Sequence, residues 1–177
     1  MLREELAEYR DRIQADWMER ILADYPEQTV GFLRGQLDPF ANPVGAALRE
    51  EVGVLLDGVL DPTFDLDRLG SALDRIIRVR ALQDFAPSKA IGFVLDLKRV
   101  VATSLRDPLD SSDRSELDHR IDRLALMAFD VYSACREQVH EIRVQSIRNR
   151  SITVLERFNA WRDRRDAASG VDDEVPT

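Results

Sequence analysis

The chain has 177 residues, 44% of them hydrophobic and 33% charged, which is enough apolar surface for one real core and excludes wholesale disorder. A single cysteine, Cys135, excludes an internal disulfide and a cysteine-built zinc site. Thirty-three acids against twenty-five bases give a net charge of −8, which repels polyanions at long range and argues against duplex binding.

No run approaches the ~20 apolar residues of a membrane helix, and the acidic start, Met1-Leu2-Arg3-Glu4-Glu5, lacks the layout of an export signal. The expectation is a cytoplasmic protein with no membrane insertion. The charge is uneven. Residues 1–70 sum to −8, whereas 143–165 carry seven arginines against Glu156 and Asp163, or +5.

In chain order, Leu2, Leu6, Tyr9, Ile13, Trp17 and Ile21 recur at helical steps and predict a first amphipathic helix. Pro26 opens a short second one carrying Val30 and Leu33. Asn42 and Pro43 form a cap and first-turn pair for a third, which reaches about Leu60. Leu66, Leu69, Leu73, Ile76 and Ile77 mark a fourth, extending to Phe85. Pro87 demands a boundary at 85–87 because its ring removes a backbone donor, and a fifth helix follows to Leu105. Asp113 with Glu116 reads as the capping pair of the last helix. No alternating run suggests a strand.

That last helix has neither glycine nor proline from Leu109 to Ser169. Unbroken from 113 to 165 it would measure roughly 80 Å, against about 40 Å for a compact domain of this size. Its apolar track, Leu117, Ile121, Leu124, Ala128, Val131, Cys135 and Ile142, is out of phase with a second one: Val144, Ile147, Ser151, Val154, Phe158 and Trp161. A break or stutter near 142–147 accounts for the shift. The segment 143–165 is then a projecting or dimerising helix, with Ile147, Val154, Phe158 and Trp161 as its partner surface. Residues 166–177 read as a disordered acidic tail, leaving 1–165 as one helical domain.

Chemistry is sparse. His119 and His140 fall off the apolar track, so neither is placed as a metal or haem ligand. Glycine-rich phosphate loops are absent. No catalytic residue, metal site or cofactor is expected. One residue breaks the pattern: Arg80 lies on the buried phase of the fourth helix, where an unpaired guanidinium costs several kcal/mol. Asp84 is one turn away, and Asp130, Tyr132 or Gln83 could complete its shell. Two readings stay open, an internal polar clamp or a pocket for an anion or small polar ligand.

Three segments carry a resemblance: Asp38-Pro39-Phe40-Ala41-Asn42-Pro43, then Arg78-Val79-Arg80-Ala81-Leu82-Gln83-Asp84-Phe85-Ala86-Pro87-Ser88-Lys89-Ala90, and Phe129-Asp130-Val131-Tyr132. Together they resemble the N-terminal domain of RsbRD-type RsbT co-antagonist proteins, over roughly residues 5–160. The resemblance implies a bacterial regulatory or sensory input module without enzymatic activity. The helical periodicity itself predicts an all-α bundle of five or six helices with a long C-terminal helix; by analogy with input domains related to the family, that bundle is globin-like without haem. The resemblance groups Phe40, Asn42, Arg80, Gln83, Asp84, Ser88, Asp130 and Tyr132 around one ligand pocket or clamp. The expected partners are a regulatory protein or a second copy of the chain, since the chain ends after the bundle without an output domain, and, on the pocket reading of Arg80, a small-molecule ligand. The alternatives are a structural homodimerisation module and, behind it, a small helical enzyme or a haem-binding sensor.

Overall fold

A computed structural model describes residues 6–34, 42–61, 63, 65–83 and 85–169, with only the backbone described at 32–34, 43 and 166–169. Among them the regular structure is helical: α1 (Arg10–Leu22), α2 (Glu27–Arg34), α3 (Pro43–Leu60), α4 (Leu66–Leu82), α5 (Pro87–Ser104) and α6 (Ser111–Ser169). The fold class is all-α, with a long C-terminal helix.

Helix ends follow local chemistry. The Asn42 side chain accepts from the Gly45 N–H at 2.9 Å with Pro43 in the first turn, so the predicted cap pair opens α3. Asp65 caps α4 by accepting from the Asp67 and Arg68 N–H groups. Pro87 stands in the first turn of α5. The first helix starts anew at Arg10, after a turn in which the Tyr9 N–H donates to the Leu6 carbonyl.

Two expectations about α6 require correction. Its cap is Asp110, whose carboxylate accepts from the Ser112 and Asp113 N–H groups, both at 2.8 Å. Asp113 therefore lies inside the first turn; a cap at Asp110 satisfies the N–H groups of Ser112 and Asp113 and adds three helical residues before the predicted start. Nor does the helix finish at 165: it is helical from Ser111 to Ser169, and of the break and the stutter considered near 142–147 this continuity leaves the stutter. With no glycine or proline, a change in side-chain phase requires no break in the backbone. The rest of the expected tail, 170–177, lies outside the described residues.

The chain divides into two units, Met1–Arg136 and Glu137–Thr177. In the first, α1 packs against α3 and α5, and α4 packs against α3 and α5. Leu117, Ile121, Leu124, Ala128, Tyr132 and Cys135 of α6 belong to the same core as Ile13, Trp17, Leu55, Leu73, Ile77 and Phe93. Burial pushes the Cys135 thiol above its ordinary value. The Trp17 indole N–H is satisfied by donating to the Phe93 carbonyl at 2.7 Å. Arg10 holds Asp57 through two nitrogens at 2.6 and 2.9 Å, joining α1 to α3. The second unit is the C-terminal stretch of α6, in which every described side chain from His140 to Arg165 is exposed.

Candidate functional site

Arg80 sits in the last turn of α4, and its side chain is 0% exposed. Leu73, Ile76 and Ile77 bury the same helical face, so the backbone carries the guanidinium into the core. One terminal nitrogen donates to the Asp24 carboxylate at 3.2 Å and to the Lys89 carbonyl at 2.8 Å; the other donates to the Ile21 carbonyl at 3.0 Å. Ile21 is in the last turn of α1, where helix carbonyls lack intrahelical partners. A single planar fork thus ties α1, α4 and α5.

Three rings surround the fork. Its central carbon lies 5.2 Å from the Tyr25 ring centre, 5.3 Å from Phe85 and 5.0 Å from Phe93. That apolar cage favours a delocalised guanidinium over a compact ammonium. Arg80 Nε is buried and has no hydrogen-bond partner among the described residues.

Of the residues grouped with Arg80 from sequence, the structure assembles only some. Tyr132 is 5% exposed and its hydroxyl donates to the Phe85 carbonyl at 2.8 Å, which fastens α6 to the α4–α5 connection. Gln83 is the exposed C-cap of α4. Ser88 and Asp130 are exposed, and Asn42 is buried as the α3 cap. Asp84 and Phe40 lie outside the described residues. Among the described residues, the carboxylate on Arg80 is Asp24, between α1 and α2, and not Asp130.

Nothing in the sequence alone singles out Asp24, Tyr25 or Phe93. Their signal was weak: an acid and an aromatic ring just before the helix-opening Pro26, and a phenylalanine on an already apolar helix.

Tyr25 also forms part of a neighbouring groove. This cavity of about 540 Å³ lies among α2, α3 and α4, and its wall includes Tyr25, Thr29, Leu48, Ile76, Val79 and Gln83. At its edge the buried Glu51 carboxylate is held by Arg75 through two nitrogens, and this contact raises the Arg75 pKa above its ordinary value. One ring therefore touches both the groove and the guanidinium.

Residues 11–147 match the family model of the RsbT co-antagonist protein RsbRD N-terminal domain. The chain belongs to this family. RsbRD N-terminal domains are regulatory, sensor-type domains, and the match takes in the Arg80 cluster and the groove. An uncharacterized protein of Archaeoglobus fulgidus is 28% identical over 141 residues, covering 77% of this chain and 83% of that protein. No solved structure matches.

In the second unit, Val144, Ile147, Val154, Phe158 and Trp161 are all exposed, Phe158 at 56% and Trp161 at 51%. The Phe158 and Trp161 rings lie 6.0 Å apart, and Arg165 sits 5.0 Å from the Trp161 ring centre. Among the described residues, no group of His, Cys, Asp and Glu could hold a metal ion, and no helix is long and apolar enough to cross a membrane. His119 and His140 are exposed.

Proposed function

We propose that this RsbRD N-terminal domain is a non-enzymatic regulatory input module that acts by binding a partner protein. The observation that carries this reading is the exposed apolar stripe of α6, in which Phe158 and Trp161 stand in solvent on a helix that continues past the family-matched segment. Aromatic side chains exposed on one helix face are the usual anchors of protein recognition.

A second reading is supported by the groove beside Arg80: a small, largely apolar ligand enters there and presses on Tyr25. The ligand would bias the packing of Tyr25 on the guanidinium, which spans three helices. Regulation would then follow from its differential affinity for two packings of that junction. The polar ligand considered from sequence gains less support, because both terminal nitrogens of Arg80 already donate to the protein.

The test is cross-linking of the full chain in its native cell, from a photoreactive residue at position 158, with a second at Glu8 as control. The expected result is a recurrent regulatory protein joined at position 158 only. Equal labelling at both positions, or turnover of a substrate by the purified chain, would overturn the proposal. Native mass spectrometry of freshly purified protein checks the ligand reading: a small molecule lost in a Leu48→Trp variant is expected, and a mass equal to the bare chain contradicts it.

A further inference from the structure

The charges beside the α6 stripe say what kind of surface covers it. Val144, Ser151 and Phe158 alternate with Ile147, Val154 and Trp161 at four- and three-residue steps, the spacing of a helix-pairing seam. One flank carries Arg143, Arg150, Arg157 and Arg164; the other carries Arg148 and Arg162, with Leu155 between them. Glu156 and Asp163 lie on the back of the helix, away from the seam.

A second copy is a poor occupant of this seam. In a parallel pair, Arg143 would face Arg148 of the other helix and Arg157 would face Arg162. In an antiparallel pair, the four-arginine flank would face itself. Either arrangement places like charges across the contact.

An extended polyanion is also disfavoured. The segment 143–165 carries +5 of a total of −8, so the rest of the chain carries −13 and repels an anionic bilayer or a nucleic acid over many ångströms. A bilayer, moreover, does not require the four-three spacing, and Ser151 interrupts the middle of the apolar face.

We infer that residues 144–161 of α6 dock an amphipathic helix of a partner protein, one that presents an apolar seam flanked by glutamate or aspartate on both sides. The inference rests on the reading of the chain as a partner-binding module and specifies the chemistry of that partner. The apolar seam, anchored by Phe158 and Trp161, supplies affinity; the arginine flanks select against basic helices and in favour of acidic ones at contact range.

Two fluorescent helical peptides test it on the full-length protein. Both have isoleucine and leucine at the seam; one has glutamate and the other lysine at both flanks. The glutamate peptide is expected to bind at least tenfold more tightly, with affinity falling as salt rises. An Arg150→Glu, Arg157→Glu double variant, altered only at exposed positions, should keep its circular dichroism spectrum and narrow the preference several-fold, because four flanking arginines remain. Equal binding of the two peptides, a preference unchanged in the double variant, or tighter binding to phosphatidylglycerol vesicles than to either peptide would each overturn the inference. So would sedimentation of the wild-type chain as a dimer that Phe158→Asp dissociates. If the peptides fail while the native-cell cross-link at position 158 persists, only the acidic-helix inference falls; loss of the cross-link removes the wider reading.

Discussion

Arg80 shows how one polar residue can organise an apolar interior. Taking a guanidinium out of water is costly, and here the cost is offset by two main-chain carbonyls, one partly exposed carboxylate and three aromatic faces. Arg80→Ala removes all of these and leaves a cavity, so thermal or urea unfolding should show a loss of about 3–5 kcal/mol. Arg80→Lys keeps the charge but lacks the fork that reaches Ile21 and Lys89 together. It should recover less than half of that loss, and a melt indistinguishable from wild type would contradict the clamp. Asn42→Ala, which deletes one cap, should cost about 1 kcal/mol. Burial of Arg80 was legible in the sequence because its phase follows Leu73 and Ile76. Its partner Asp24 was not, since nothing local relates residues 24 and 80.

At the scale of elements, the part of α6 within the first unit is held there by more than its apolar face. Arg120 donates to the Val59 carbonyl at 3.0 Å and the Asp61 carbonyl at 2.8 Å, satisfying the end of α3. It also holds Glu116 one turn back at 2.7 Å, and this contact sets the Glu116 carboxyl below its ordinary range. A lowered carboxyl pKa contributes stability that is full above the unfolded-state value and disappears as pH falls through the folded one. Glu116→Gln should therefore be less stable than wild type at neutral pH, and the difference should vanish in acid. A difference that persists unchanged at low pH would show that the pair does not act through charge. The face assignment has its own check. Leu124→Asp buries a carboxylate without a partner and should unfold the first unit, whereas Arg148→Ala, at an exposed position, should shift stability by less than about 0.5 kcal/mol. The existence of each helix could be read from periodicity. The cap at Asp110 could not, because Asp110 and Asp113 are both competent and the choice depends on which one the preceding loop presents.

For the molecule as a whole, the consequential feature is that two kinds of apolar surface occur on one helix. The residues from Leu117 to Cys135 complete a core, and those from Val144 to Trp161 remain in solvent. Replacing both Phe158 and Trp161 by aspartate should therefore leave the melting of the first unit unchanged while abolishing partner capture. A large fall in melting temperature would instead assign these rings to the fold. The sequence by itself determined the helical class, most helix starts, the inward faces, the buried phase of Arg80 and the uneven charge, because each is a local property of spacing and residue type. Only the tertiary structure decided that Asp24 meets Arg80, that three rings enclose it, that an apolar groove opens beside Tyr25, and that Asp130 stands apart. Those contacts join residues far apart in the chain, and helical periodicity tells which face is buried but not what it is buried against.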